Sequence, residues 1–409
     1  MKHVAGVLLV LGLMQAAVVA AAATDDQAYD QIARGRYLAT AGDCTACHTA
    51  EGGKPYAGGR PIETPFGVIV APNVTPDRET GIGNWSDDDF VKALRQGVGH
   101  GGVHLYPAMP YPYFTKVSRS DILAIRAFLN TLAPVHNKVV ANQLPFPFRI
   151  RAGMMAWNLL FFDDSRFKPV AGKSAEWNRG AYLVEGLGHC GACHTAKNLA
   201  GGDKTSEALQ GGVLQGWFAP NLTGDPRTGL GHWSVEDVVT YLKTGHNRIT
   251  AATGPMSDVI RDSTSQMTDA DLKAIAVYLK DQPPQHEAAP APVAANDPAM
   301  QLGQAVYADN CEACHTAAGT GVSHLFPALK DNPSVQSTDL TSLIRVVLEG
   351  TQSVATAAAP TGPSMPAFGW KLSDQQVAAV ITYIRNSWGN ASAAASPGDV
   401  ASGRKSVSQ

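Results

Sequence analysis

Cys44–His48, with the sequence CTACH, is the first of three Cys-x-x-Cys-His motifs in a chain of 409 residues. The other two are residues 190–194, CGACH, and residues 311–315, CEACH. The pattern is typical of covalent haem c attachment. Two thiols three positions apart, on a tight turn entering a helix, can form thioethers with the two vinyl groups of one porphyrin. The histidine that follows then lies beneath the ring as the proximal iron ligand. The sequence therefore predicts three covalently bound haem c groups.

These sites use all six cysteines of the chain and leave none for a disulfide or a catalytic thiol. A CxxC pair alone also occurs in thioredoxin-like redox centres and in zinc sites. A redox pair does not need the histidine, and zinc would need two further ligands at suitable spacing. Three complete motifs therefore favour haem. The predicted thioether cysteines are Cys44, Cys47, Cys190, Cys193, Cys311 and Cys314, and the predicted proximal ligands are His48, His194 and His315.

An internal repeat accompanies the motifs. RGRYL at 34–38 and RGAYL at 179–183 precede the first two motifs, and TGIGNWS at 80–86 and TGLGHWS at 228–234 follow them. The third copy is more divergent. About 100 residues per haem is the size of a small domain. The sequence therefore predicts a mostly α-helical fold of three tandem domains resembling class I cytochromes c.

Composition and apolar patterning suggest the boundaries of these domains. The predicted segments are a signal peptide at 1–23, domain 1 at 24–135, a linker or interface segment at 136–174, domain 2 at 175–283, an Ala/Pro linker at 284–298, domain 3 at 299–389 and a mobile tail at 390–409. The apolar content of the first linker indicates packing rather than a free tether.

Each domain is predicted to close with an amphipathic helix that begins at a capping-box-like sequence. A glycine near the start of each domain is expected to let an earlier helix cross this closing helix closely. The cap pairs are Ser118 with Asp121, Thr268 with Asp271 and Ser373 with Gln376, and the glycines are Gly35, Gly180 and Gly303.

A methionine between each haem motif and its closing helix is a candidate sixth iron ligand. Met109 and Met365 each stand next to proline in loop-like sequence. For the second haem Met256 is favoured over Met267, which directly precedes the cap. A filled sixth position leaves the iron only electron transfer, whereas an open one permits peroxide or oxygen chemistry. Rival ligands are His100, His104, His246 and His324.

Three prolines mark rigid loops whose carbonyls are candidate partners for the proximal histidines. The carbonyls of Pro72, Pro220 and Pro327 would accept Nδ1–H from these rings and fix their orientation.

Charge and targeting signals restrict the partners. The formal net charge is −3, and lysine and arginine are scattered without a run that would follow a phosphate backbone, so nucleic-acid binding has no support. The basic, apolar and alanine-rich order of residues 1–23 predicts an export signal. No later stretch approaches transmembrane length. Membrane attachment is therefore expected to come from a partner or from surface contact.

Several segments resemble the tri-haem cytochrome c subunit of bacterial membrane-bound dehydrogenases. They include LYPAMP at 105–110, GLGHCGACH at 186–194 and RNSWGN at 385–390. Members serve gluconate 2-dehydrogenase, quinohaemoprotein alcohol dehydrogenase and related aldehyde- or sorbitol-oxidising complexes, and the resemblance covers essentially the whole mature chain. SMPAF at 364–368 is most similar to the gluconate branch.

The resemblance implies a non-catalytic electron-transfer subunit on the periplasmic side of the inner membrane. A separate catalytic subunit, with a flavin, quinone or molybdopterin centre, would supply electrons that pass to ubiquinone or a terminal acceptor. LPFPFR at 144–149 and AWNLLFF at 156–162 are closer to cytochromes paired with molybdopterin hydroxylases or aldehyde oxidases. A multi-haem peroxidase with one open iron is the enzyme alternative.

Overall fold

The computed structural model describes residues 28–285 and 288–407. The predicted signal peptide at 1–23 lies outside the described residues. The fold is mostly α-helical, as the sequence predicts. The helices are α1 (28–41), α2 (Cys44–His48), α3 (Asp87–Gln96), α4 (Tyr111–Phe114), α5 (Arg119–Leu129), α6 (Gly153–Phe161), α7 (Ala175–Tyr182) with a π-helical turn at Leu183–Leu187, α8 (Gly191–His194), α9 (Val235–Thr244), α10 (Pro255–Asp262), α11 (Asp269–Lys280), α12 (Pro298–Asn310), α13 (Glu312–His315), α14 (Pro333–Gln336), α15 (Thr341–Glu349), α16 (Asp374–Arg385) and α17 (Pro397–Val407).

Short antiparallel hairpins accompany the helices. Within the described ranges the strands are β1 (Pro61–Thr64) paired with β2 (Gly67–Val70), β3 (Gly212–Leu214) with β4 (Trp217–Ala219), and β5 (Thr351–Gln352) with β6 (Ser364–Met365).

Three helix crossings repeat along the chain, α1 on α5, α7 on α11 and α12 on α16. At each crossing the predicted glycine faces backbone of the closing helix. A Cβ on Gly35 would lie 1.8 Å from the Ala124 carbonyl oxygen, and one on Gly180 would lie 1.9 Å from that of Ala274. The equivalent distance from Gly303 to the Ala379 oxygen is 2.2 Å. No side chain fits at these distances, so the predicted close crossings are confirmed.

The closing helices begin at the predicted caps, with one difference. Ser373 and Gln376 form a complete capping box at α16. At α5 and α11 the hydroxyls of Ser118 and Thr268 accept the N3 backbone N–H, as predicted. The carboxylates at N3, however, turn away from the cap and bind groups of both repeats. These two aspartates therefore serve the contact between repeats.

Within the described part of the chain, this packing produces two separate apolar cores. One core combines side chains from residues 38–129 with side chains from 181–279, so the first two repeats share it. The third repeat has its own core around α12, α15, α16 and α17. A small cluster of Ala252, Ile260 and Val354 joins the second repeat to the third.

The segment after α5 packs against both repeats, which confirms that it is not a free tether. The Tyr111 hydroxyl donates to Asn158 Oδ1 at 2.5 Å, and the Trp157 indole N–H donates to the Ala200 carbonyl at 2.9 Å. Helix α6 thus bridges the first repeat to the loop that follows the second motif.

The prediction of a mobile tail is wrong over residues 390–407. Asn390 donates to the carbonyls of Leu329 and Ile384, each at 2.9 Å, and α17 buries Val400 completely. Ser396 and Asp399 exchange hydrogen bonds at the start of α17. The Ala/Ser-rich composition of this segment does not predict these few specific contacts.

Among residues 28–285 and 288–407, no helix combines the length and the apolarity required to cross a bilayer.

Candidate haem-binding sites

Each motif histidine donates a hydrogen bond to the proline carbonyl that the sequence indicates. Nδ1 of His48 lies 2.8 Å from the Pro72 oxygen, Nδ1 of His194 lies 2.6 Å from that of Pro220, and Nδ1 of His315 lies 2.9 Å from that of Pro327. A carbonyl oxygen only accepts, so Nδ1 carries the proton and Nε2 keeps its lone pair. The predicted contacts are confirmed, and the tautomer is the one that binds a metal through Nε2.

Burial keeps these rings neutral. It lowers the pKa of His48, His194 and His315, although the hydrogen bond to the proline carbonyl acts in the opposite direction. A neutral imidazole with a fixed orientation is the form that binds iron. The residues therefore fit a haem c group at each motif.

The motif cysteines lie in the same sheltered environment. Burial raises the pKa of the Cys44 and Cys190 thiols to about 12 and that of Cys311 to about 11. Thiols in such surroundings are protonated at neutral pH, which is unsuited to a redox-exchange centre. A porphyrin edge is the kind of apolar surface that such a site accommodates.

The sequence Ala-Pro-Asn, which occurs at 71–73 and again at 219–221, holds each of the first two proline carbonyls in place. The Asn73 side-chain oxygen accepts the Thr75 N–H at 2.9 Å, and Asn221 accepts that of Thr223 at 2.8 Å. Asn73 also donates to the Thr80 hydroxyl at 3.1 Å. The sequence patterns alone do not predict this role of the asparagines. Their recurrence beside the prolines was the signal that could have indicated it.

The candidate methionines occupy different local structures. Met109 lies in a turn, in which its backbone N–H donates to the Tyr106 carbonyl at 3.0 Å. Met365 pairs with Thr351 in the last hairpin. Met256 is the second residue of α10, a helix that the sequence patterns do not predict, although Pro255 is a typical first helical residue. All three are partly exposed. Met267 instead is 3% exposed and belongs to the core shared by the first two repeats.

The histidines that are rival ligand candidates differ from one another in exposure and in hydrogen bonding. His100 is exposed and its Nδ1 lies 3.0 Å from the Asp89 carboxylate, so it forms a surface ion pair when it is protonated. Among the described residues, Nδ1 of His104 and Nδ1 of His246 are buried without a hydrogen-bond partner. The ring centroids of His246 and His324 are 6.1 Å apart at the contact of the second and third repeats.

The first two motifs lie at the contact between their repeats. Helix α4, which follows Met109, reaches the second motif, where a Cβ on Gly191 would lie 2.9 Å from the Tyr113 ring. Helix α10, which carries Met256, contacts α2 of the first motif. Ser263, directly after α10, donates its hydroxyl to the Ala41 carbonyl, three residues before that motif, at 3.3 Å. Each repeat therefore supports the motif of the other.

Asp43 shows the electrostatic effect of this contact. It directly precedes the first motif in a left-handed conformation, with φ 52°. Burial, with Asp262 and Asp258 of α10, raises its pKa to about 8. The carboxyl is therefore mostly neutral at pH 7 and adds little charge beside the motif.

The chain is similar to known cytochromes c over most of its length. The cytochrome c family model matches residues 32–133 and 300–388. The chain is 44% identical to the gluconate 2-dehydrogenase cytochrome c subunit of Pantoea cypripedii, over 97% of this chain and 94% of that protein. It is 41% identical to the cytochrome c subunit of the quinone alcohol dehydrogenase of Gluconobacter oxydans, over 93% and 83%. It is also 36% identical to the fructose dehydrogenase cytochrome subunit of Gluconobacter japonicus, over 89% and 81%.

The similarity to these proteins spans most of the chain and most of each relative. All three relatives are named as cytochrome subunits of dehydrogenases, which makes them electron-transfer subunits and not catalytic ones. The chain belongs to the family of electron-transferring cytochrome c subunits of bacterial dehydrogenases.

Proposed function

We propose that this chain is a tri-haem c subunit that carries electrons from a catalytic dehydrogenase subunit to ubiquinone or another acceptor of the respiratory chain. The observation that carries the proposal is the histidine–proline contact, which has the same geometry at all three motifs. Three equal sites in one chain suit a relay better than a single catalytic centre.

The residues proposed at each site follow from the motifs. The cysteine pairs form the thioethers, and the histidines bind iron through Nε2. Met109, Met256 and Met365 are the proposed sixth ligands, because each lies between its motif and its closing helix. When bound, haem c supplies reversible one-electron chemistry at its iron. The proline carbonyls orient the imidazoles, and the methionines exclude water and small oxidants from the iron.

We propose three domains resembling class I cytochromes c, at 24–135, 175–283 and 299–389. The helix crossings at Gly35, Gly180 and Gly303 support this division, because each proposed domain contains one such crossing together with one motif. Residues 1–23 are proposed to direct export to the periplasmic side of the inner membrane.

The favoured partner is a gluconate-, alcohol- or aldehyde-oxidising subunit. The full-length similarity to the Pantoea gluconate 2-dehydrogenase subunit supports the gluconate type. A second candidate is a molybdopterin hydroxylase or aldehyde oxidase. The resemblance of the stretches at 144–149 and 156–162 to cytochromes paired with such enzymes favours it.

A haem count and a ligand test examine the relay directly. The purified mature protein is expected to contain three haems per chain by pyridine haemochrome assay and intact mass. Cys311→Ala with Cys314→Ala should leave two. All ferric haems should be low-spin by EPR and slow to bind cyanide. Two haems in the native chain, or one fast cyanide site, would contradict the proposal.

The partner is tested by affinity purification of the cytochrome from its native membrane. The expected result is a co-purifying dehydrogenase subunit and haem reduction on addition of gluconate. Reduction only by substrates of a co-purifying molybdopterin protein would favour the second candidate. Recovery of the cytochrome alone would count against a stable complex.

A further inference from the structure

Large apolar side chains are exposed together between the first two repeats. Leu159 is 87% exposed, Leu160 71% and Met155 60% on α6, and Phe146 is 71% exposed in the preceding loop. Isolated exposed apolar residues are ordinary, but a group of this size marks an interaction site. The apolar surface is defined here by Phe146, Phe148, Ile150, Met155, Leu159 and Leu160.

Packing contacts join the loop and helix parts of this surface. The rings of Phe66 and Phe148 lie 5.0 Å apart. A Cβ on Gly201 would lie 3.0 Å from the Phe66 ring, and one on Gly202 would lie 2.8 Å from the Phe161 ring. Apolar contacts through Phe66 and the backbone at Gly201 and Gly202 therefore connect Phe148 to α6.

The other side of α6 is fixed to the protein, so the exposed side is fixed as well. Trp157 and Phe161 pack against each other with ring centroids 5.6 Å apart, and Tyr111 packs edge-on against Trp157 at 6.4 Å. The hydrogen bonds from Tyr111 to Asn158 and from Trp157 to Ala200 hold the helix at two points. The leucines cannot fold back into the core without breaking these contacts.

The charge of this region has the opposite sign to that of the whole chain. Residues 136–168 contain five lysines and arginines and two aspartates, whereas the formal net charge of the chain is −3. The span from 136 to 162 contains no acidic residue. Arg149 and Lys168 are exposed. Apolar side chains beside basic ones complement a bilayer with anionic headgroups.

We propose that the apolar surface inserts shallowly into an anionic lipid bilayer and seats the cytochrome on the membrane. The proposal rests on the proposed function and specifies how the chain reaches its membrane acceptor. A helix of nine residues lying in the interface needs no transmembrane span.

This placement also brings the loop of the first proposed iron ligand to the membrane side. The Tyr106 hydroxyl donates to the Phe148 carbonyl at 2.8 Å, and the Arg151 guanidinium lies over the Tyr106 ring at 4.7 Å. Tyr106 is three residues before Met109, and Tyr111 is two residues after it. The loop that carries Met109 is therefore held against the back of the apolar surface, which favours the first site as the one nearest a quinone in the bilayer.

Vesicle flotation tests the proposal on the mature holoprotein. We expect it to float with vesicles of phosphatidylethanolamine and phosphatidylglycerol. Leu159→Ser with Leu160→Ser should weaken binding at least about tenfold, because two leucines lose their apolar contact with lipid. Arg149→Gln with Lys168→Gln should weaken binding to these vesicles and change binding to phosphatidylcholine little, and high salt should have the same effect.

Tyr29→Ser with Val213→Ser is the matched control, since both side chains are exposed and lie outside the apolar surface, at 73% and 51%. It should float like the native protein. Failure of the native protein to float, or unchanged flotation of the leucine variant, would overturn the proposal. If the leucine variant floats normally but no longer co-purifies with the dehydrogenase subunit, the surface binds that subunit and not the membrane.

Two further measurements keep this test separate from the proposed function. Unchanged haem absorption and circular dichroism show that a variant is folded. Haem count and haem reduction in detergent report on the relay without the membrane. Normal reduction with lost flotation supports the membrane surface, whereas absent haem in the native chain refutes the proposed function whatever the flotation result.

Discussion

The second repeat offers two methionines that differ most clearly in burial. Met256 is partly exposed at the start of α10, while Met267 is enclosed in the shared core and its carbonyl accepts a hydrogen bond from Lys243 at 2.9 Å. A core side chain needs no iron to explain its position. We therefore expect Met256→Ala to convert one of the three haems to a high-spin ferric form that binds cyanide rapidly, because its sixth position opens. EPR and cyanide titration measure this.

Met267→Leu is the matched control for this prediction. The substitution conserves volume in the core, so the expected change in the free energy of unfolding is below about 1.5 kcal/mol. All haems should stay low-spin. A high-spin haem in the Met267→Leu protein, with a normal Met256→Ala spectrum, would reverse the assignment.

The sequence is more informative about single residues than about their surroundings. The motif histidines and their proline carbonyls could be paired from sequence because proline recurs at matching places in a repeat. Helix α10 is not predicted from the sequence, because its eight residues begin at the proline of a Gly-Pro pair in a polar stretch that resembles a loop. The sequence does not predict that Nδ1 of His104 and Nδ1 of His246 are buried. Their burial depends on distant parts of the chain, which no local pattern reveals.

Among the helices, the crossing at Gly180 is tightly constrained by backbone and side-chain atoms of α11. A methyl group there would meet the Ala274 oxygen at 1.9 Å and the Tyr278 Cβ at 2.8 Å. Gly180→Ala therefore has to separate α7 from α11. We expect it to lower the free energy of unfolding by about 1–3 kcal/mol, as overpacking does. Urea unfolding followed by circular dichroism provides the measurement.

Gly153→Ala controls for the general effect of replacing a helical glycine. A Cβ at Gly153, the first residue of α6, meets nothing within 4 Å. Alanine is the better helix former, so this variant should be as stable as the native protein or more stable by up to about 1 kcal/mol. Equal loss of stability in both variants would show that close packing is not what Gly180 provides.

Helix α17 is not predicted from the sequence, and its composition explains why. Alanine and serine predominate from residue 390 onward, and such composition is typical of mobile tails. The structure instead anchors the segment through Asn390, Val400 and Arg404, the last of which donates to the Asp374 carboxylate at 2.8 Å. A few well-placed contacts outweigh composition here. The capped closing helices were predictable because cap, period and length all agreed.

At the scale of the whole molecule, the first two repeats meet through a reciprocal network. Arg34 donates to Asp121 at 2.7 Å within the first repeat, and Tyr182 of the second repeat donates to the same carboxylate at 2.6 Å. Arg179 and Tyr37 bind Asp271 in the equivalent way.

These residues occupy equivalent positions in the two repeats, so the contact has approximate two-fold symmetry, like that of a symmetric dimer. Sequence patterns marked both aspartates only as cap residues. Their second role needs the partner repeat.

The tyrosine–aspartate contact predicts a specific coupling between the repeats. The Tyr37 hydroxyl donates to Asp271 at 2.6 Å, and Arg179 donates to the same carboxylate at 2.7 and 2.8 Å. Asp271→Asn should lower the free energy of unfolding at pH 7 by about 1.5–3 kcal/mol, the range for hydrogen bonds to charged groups. In a double-mutant cycle, Tyr37→Phe should cost less in the Asp271→Asn protein than in the native one. Tyr307→Phe, in the third repeat, should be additive with Asp271→Asn.

The pH dependence gives this contact an independent signature. Burial raises the pKa of Asp271, but the hydrogen bonds from Arg179 and Tyr37 outweigh it, so the net shift is downward. The stabilisation is therefore complete above the pKa of the unfolded chain, about 3.9, and is lost as the pH falls through the lower pKa of the folded state. The difference in unfolding free energy between native and Asp271→Asn proteins should be constant from pH 7 to about pH 5 and shrink below about pH 4. A difference that grew on acidification would mean that the carboxylate is not the stabilised form.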